Sequence, residues 1–131
     1  MSRPSPASTV AVVDDDPAVR RAISRMLRAA GLRVASFSTA EELLQAYEEV
    51  HPSCLVLDVV LPGMSGPDLV EKLRAAQRTA VPIFVTGRID AQQFLRRRGL
   101  DKVPCLQKPF EPALLLEAVT RALEASPVGP G

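Results

Sequence analysis

The sequence predicts an α/β domain: a doubly wound sheet of five parallel strands with five helices on its two faces. Three observations predict it. Apolar strand-like runs and amphipathic helical stretches alternate five times along the 131 residues, a pattern that argues for a parallel sheet joined by right-handed crossovers. The run Cys54 to Leu57, which ends in the carboxylate of Asp58, is apolar at successive positions rather than at every second one, as expected of a strand covered on both faces. Polar residues with chemical potential follow the first, third, fourth and fifth strands, the edge at which such sheets bind ligands.

Each element has its own signal. Val10 to Val13 is a short apolar strand that runs into Asp14, Asp15 and Asp16. Pro17 opens a helix that Asp16 or Asp15 can cap, with Val19, Ile23, Met26, Leu27 and Ala30 at helical spacing and Gly31 as its stop. Leu32 to Phe37 reads as the second strand. Ser38 to Glu41 reads as a capping box, starting a helix that runs to about Glu49 with Leu43, Leu44 and Tyr47 inward. The third strand ends at Asp58, and the turn Leu61 to Gly66 feeds a helix carrying Leu69, Val70 and Leu73. Pro82 to Val85 is a fourth strand closed by Thr86 and Gly87, and Asp90 to Arg98 a weak helix ended by Gly99. Val103 to Leu106 is a fifth strand, and Pro112 to Ala125 a clear last helix with Leu115, Leu116, Val119 and Leu123 inward. Residues 1–8 read as a mobile Ser/Pro-rich arm, 9–125 as the domain and 126–131 as a linker-like tail.

Composition excludes several classes. A net charge of +1 gives no mandate for nucleic acid or for an anionic membrane surface. No apolar run approaches the length of a bilayer span and the N-terminus lacks the apolar core of a secretion signal, so the expected address is the cytoplasm. Cys54 and Cys105 sit in apolar runs and are expected as buried, reduced thiols. The single histidine, His51, precedes Pro52 and reads as a solvated loop residue.

In a parallel sheet the strand ends share one edge. Asp14, Asp15, Asp16, Asp58, Thr86 and Lys108 are therefore expected to converge in one shallow pocket. Carboxylates a few ångströms apart repel by roughly 4 kcal/mol per pair at an effective dielectric near 20, so such a cluster needs protons or a cation. All-oxygen donors favour Mg²⁺, which keeps waters and leaves Asp58 an oxygen for chemistry. A carboxylate beside such an ion can attack phosphorus. Lys108 would then balance phosphoryl charge and Thr86 would donate to a phosphoryl oxygen.

These residues resemble a known family. Val12-Val-Asp14-Asp15-Asp16-Pro17, Leu55-Val-Leu-Asp58-Val-Val-Leu-Pro-Gly-Met-Ser-Gly66, Val85-Thr86-Gly87 and Gln107-Lys108-Pro109-Phe110 are similar to the motifs of bacterial response-regulator receiver domains, and the likeness runs from about Thr9 to Leu123. It implies a flavodoxin-like fold of strand order 2-1-3-4-5, with Asp58 accepting a phosphoryl group from a histidine kinase or phosphotransfer protein. It further implies Mg²⁺ on Asp15, Asp58 and the Val60 carbonyl, with Asp14 acting through water, phosphoryl contacts from Thr86 and Lys108, and a cis Lys108–Pro109 bond. Such a domain is a signalling module rather than an enzyme, promoting only its own modification. A Mg²⁺ phosphohydrolase of the haloacid-dehalogenase type would need a second acid two residues after the nucleophile, where Val60 stands.

The chain departs from the family at Cys105, where the switch position three residues before the lysine usually carries Tyr or Phe. Cysteine lacks the bulk to move the surface as a ring does, which keeps open a degenerate or stand-alone receiver acting as a binding scaffold. In that family two positions flanking the pocket tune phosphoryl lifetime; here they are Val60 and Arg88, and the resemblance implies slow self-dephosphorylation, with Val60 apolar and Arg88 as a shield. Arg96 to Arg98 reads as a solvated helix end or a basic docking face. The stretch Val34 to Leu43 resembles receivers that precede helix-turn-helix DNA-binding domains, so the expected context is a transcriptional regulator whose DNA contacts lie outside this domain. The face made by the fourth helix, fifth strand and fifth helix is the family's site for an effector domain or homodimer.

Overall fold

The alternation in the sequence becomes ten elements in the computed structural model, which describes residues 8–125. They are β1 (Thr9–Val13), α1 (Pro17–Ala29), β2 (Arg33–Phe37), α2 (Ala40–Val50), β3 (Cys54–Asp58), α3 (Gly66–Ala75), β4 (Val81–Thr86), α4 (Ala91–Arg97), β5 (Cys105–Gln107) and α5 (Pro112–Ala125). Apart from Ser8, the expected arm lies outside the described residues, as does the expected tail after Ala125. All strand pairs are parallel and the order is β2-β1-β3-β4-β5, as the resemblance implied.

Helices cover both faces, which is why the central strands read as unbroken apolar runs. Val10, Val12, Cys54, Val56, Ile83 and Val85 pack on one side with Ile23 and Leu27 of α1 and Leu115 and Val119 of α5. Ala11, Val13, Leu55, Leu57 and Phe84 pack on the other with Leu43 and Tyr47 of α2, Leu69 and Leu73 of α3 and Leu95 of α4. Each fully buried Leu, Val or Phe in these layers stabilises the fold by about 1.5–3 kcal/mol.

Several expectations are corrected in detail. Asp16 caps α1, accepting from the Ala18 and Val19 N–H groups, while Ala30 is exposed because it lies past the last helical residue. The capping box of α2 is Thr39 with Glu42, one residue later than expected. Ala40 is fully buried and begins the helix, so the box must start at the residue before it. Leu44, Leu116 and Leu123 are only partly buried at the margins of their helices. β5 begins at Cys105 rather than Val103: Pro104 lends its carbonyl to the Phe84 N–H at 2.8 Å but has no N–H for the ladder. Cys105 is consequently half-buried at the sheet margin, not enclosed like Cys54. The cis Lys108–Pro109 bond is present.

Two strand edges remain. At β2 the side chain of Arg33 is exposed, and Arg28 reaches from α1 so that its Nη2 donates to the Val34 carbonyl at 3.2 Å. At β5 the edge is three residues long.

Candidate functional site

Strand register assembles the site. Val13 pairs with Leu57, so the next residues of the two strands, Asp14 and Asp58, emerge side by side. Asp58 pairs with Val85, and Thr86 follows; Thr86 pairs with Gln107, and Lys108 follows. The Lys108 N–H donates to the Thr86 carbonyl at 2.7 Å, extending the ladder by one bond and fixing the root of the lysine.

Lys108 bridges the two buried acids. Its Nζ lies 2.8 Å from Asp14 Oδ2 and 2.9 Å from Asp58 Oδ2, with Asp14 1% and Asp58 8% exposed. Burial pushes the Asp58 carboxyl above its ordinary range, against the opposing pull of Lys108 and of the Val60 N–H. Burial by itself would lower Lys108, yet its hydrogen bonds to Asp14 and Asp58 raise it. The ammonium therefore stays charged because both acids face it.

Asp15 completes an acidic group. It is exposed, and carboxylate oxygens of Asp14, Asp15 and Asp58 lie within 4.8 Å of one another. Three carboxylates against one ammonium leave two negative charges uncompensated, and the donors are all oxygen. That set suits a hard divalent cation. Asp14 is braced as well: its Oδ1 accepts from the Asp16 N–H at 2.9 Å, and Arg20 Nη1 donates to its carbonyl at 2.7 Å.

The other predicted residues divide. Thr86 is buried, and its Oγ1 accepts from the Arg88 N–H at 3.0 Å, which leaves the hydroxyl proton available to a ligand. Val60 is half exposed beside Asp58, and its N–H donates to Asp58 Oδ1 at 3.1 Å. Asp16 does not join the pocket, since its carboxylate is spent on α1. The Arg88 guanidinium is likewise engaged elsewhere, forking onto Asp90 at 2.9 and 2.8 Å and lying 5.0 Å from the Phe94 ring centre. Asp90 in turn gives α4 no side-chain cap. Burial pushes the Cys54 thiol up to about 12 and also raises Cys105, so neither is a reactive thiolate.

Sequence reasoning missed the contacts of Arg98. It is not a free basic end: it hydrogen-bonds Glu71 and Asp68 of α3 at 2.7–3.0 Å and lies 5.7 Å from the Phe94 ring centre. Arg20 was missed too; its place one helical turn after the Asp14–Asp16 run was the available signal.

Comparison with known proteins adds five findings. The family described as response regulator receiver domain matches residues 10–120. Nodulation protein W of Bradyrhizobium diazoefficiens is 40% identical over 120 residues, 92% of this chain and 53% of that protein. The transcriptional regulatory protein FixJ of Rhizobium meliloti is 33% identical over 116 residues, 88% of this chain and 57% of its own length. The response regulator StyR superposes with a TM-score of 0.82 at 37% identity, covering 91% of this chain and 60% of that one, and FixJ-N with 0.80 at 31%, covering 95% and 97%. The chain thus spans about half the length of these curated relatives, and no helix among the described residues is long and apolar enough to cross a membrane.

Proposed function

The chain belongs to the response regulator receiver domain family, and from that premise we propose that Asp58 accepts a phosphoryl group from a histidine kinase or phosphotransfer protein in a Mg²⁺-dependent step. The observation that carries this reading is the Lys108 ammonium held between Asp14 and Asp58, with Asp15 alongside.

Asp15 and Asp58 would hold the ion with the Val60 carbonyl, and Asp14 through water. When bound, the ion supplies charge neutralisation for the carboxylate and phosphoryl oxygens. A carboxylate oxygen of Asp58 forms the new bond to phosphorus as the donor's phosphorus–nitrogen bond breaks; the nitrogen keeps the bonding pair and is protonated. Lys108 neutralises phosphoryl charge where it already meets Asp58, and Thr86 donates its hydroxyl to a phosphoryl oxygen. Val60 has no group to orient an attacking water, so the acyl phosphate decays slowly. Decay within seconds would overturn that part of the reading.

The domain, residues 9–125, acts as a signalling module in the cytoplasm and is not an enzyme beyond its own modification. Its output passes through the face of α4, β5 and α5 to an effector domain or a second copy. Likeness to FixJ, a transcriptional regulatory protein, supports an output in transcription control. Intact mass after incubation with acetyl phosphate tests the core reading. The wild type gains one phosphoryl group only with Mg²⁺, and Asp58→Asn gains none. A gain that survives in Asp58→Asn, or no gain in the wild type, overturns it.

A further inference from the structure

Glu41 has no part in the site as described, yet it touches the loop that serves it. It is the second residue of α2, and the box that caps this helix uses Thr39 and Glu42 instead. The Glu41 Oε2 accepts a hydrogen bond at 3.0 Å from the backbone N–H of Met64, 23 residues further along. The same oxygen lies against Gly63, whose φ is +72°; a Cβ at that position would come within 2.7 Å of it. Gly63 is therefore required both for the turn and for the carboxylate's approach.

Met64 and Gly63 form the tip of loop 59–65, and Asp58 stands at its root. There the Val60 N–H donates to Asp58 Oδ1, and the Gly66 N–H closes the loop on the Val59 carbonyl at 3.1 Å. Gly66 has no room for a Cβ, because the Asp58 carbonyl occupies that space. Root and closure are tied within the β3–α3 connection itself; Glu41 ties the tip to a separate helix. A carboxylate accepting from a backbone N–H makes one of the stronger hydrogen bonds.

We propose that Glu41 is a positioning residue for the phosphoacceptor: by anchoring the loop tip it fixes the Val60 backbone, whose N–H holds Asp58 and whose carbonyl would join Asp15 and Asp58 in holding the cation. The proposal rests on the reading of Asp58 as phosphoacceptor. Small misplacements at reacting groups are costly, since a shift near 1 Å costs about 10²-fold.

The test compares Glu41→Ala with Glu41→Gln, whose amide oxygen can still accept from Met64. In the metal-free protein, amide exchange at Met64 rises roughly tenfold in Glu41→Ala and stays near wild type in Glu41→Gln. With acetyl phosphate, the Glu41→Ala rate falls roughly tenfold and the Mg²⁺ concentration for half-maximal rate rises, while Glu41→Gln recovers both. Unchanged Met64 exchange in Glu41→Ala overturns the proposal. So does a lowered unfolding midpoint with an unchanged Mg²⁺ requirement, or a Glu41→Gln variant as impaired as Glu41→Ala. Failure of the underlying reading is separable, because it shows as no Asp58-dependent phosphorylation in the wild type.

Discussion

Two cations in this molecule each bridge two carboxylates, and they do opposite things. Lys108 joins Asp14 and Asp58, whose side chains are 1% and 11% exposed; Arg98 joins Asp68 and Glu71, about half exposed. Around Lys108, burial outweighs the ammonium and Asp58 is raised. Around Arg98, the guanidinium hydrogen bonds dominate, and both Asp68 and Glu71 are held below their ordinary range. The same pattern of charges is a clamp where water screens it and a poised pocket where water is excluded. Burial, more than pairing, separates chemistry from architecture.

Removing the buried bridge has the largest expected effect. Lys108→Ala leaves Asp14 and Asp58 facing each other without a cation, which costs about 2–3 kcal/mol in the metal-free protein, less than a fully enclosed pair because Lys108 is partly exposed. Millimolar Mg²⁺ restores most of it, since the ion replaces the lost charge. Urea unfolding with and without Mg²⁺ reads both, and a loss that Mg²⁺ does not reduce would mean the acids do not share a cation site.

Acidity sharpens the contrast. A carboxyl raised in the folded state binds its proton more tightly there than in the unfolded chain. Ionised Asp58 therefore opposes folding above its folded pKa, and the opposition fades as pH falls from that pKa toward the ordinary 3.8. Metal-free Asp58→Asn is accordingly more stable than wild type at pH 7, and the advantage shrinks on acidification to about pH 4. The lowered Asp68 and Glu71 contribute stability above their ordinary values, lost as pH falls through the folded ones. An Asp58→Asn advantage that grows on acidification would contradict the assignment.

The exposed clamp is worth less. Arg98→Ala costs about 0.5–1 kcal/mol, falls toward zero in high salt and leaves phosphorylation of Asp58 unchanged. Its signature is local: amides of α4 exchange faster, because this seven-residue helix loses its tie to α3 and one of two guanidinium contacts on Phe94. A stability loss as large as that of Lys108→Ala would erase the distinction between the two bridges. The smallest effect on the pocket is expected from Cys105→Tyr. At this half-buried margin a ring changes coupling to a partner while the rate with acetyl phosphate stays within about twofold, roughly 0.4 kcal/mol; loss of phosphorylation would sink that expectation.

What was legible in the sequence follows the same division. Asp14, Asp58, Thr86 and Lys108 could be read because each ends a strand or comes directly after one, and parallel register carries that local fact to one edge of the sheet. The Arg98 and Glu41 contacts could not, since they join residues 23 to 30 positions apart with no local pattern to announce them. The α2 box slipped by one because Ser38 with Glu41 and Thr39 with Glu42 satisfy the same spacing, and only the burial of Ala40 separates them. Asp16 was placed in the pocket because adjacency in sequence hid that its side chain turns back on α1.

The guanidinium of Arg28 over the Val34 carbonyl has a consequence for how densely this domain can be packed. A neighbouring copy that tried to lengthen the sheet at β2 would have to displace Arg28 and desolvate Arg33 before making its first backbone bond. At the opposite margin it would find only three residues to grip. Both margins therefore raise the cost of sheet-to-sheet pairing between copies, a guard against fibre growth built from one guanidinium and one short strand.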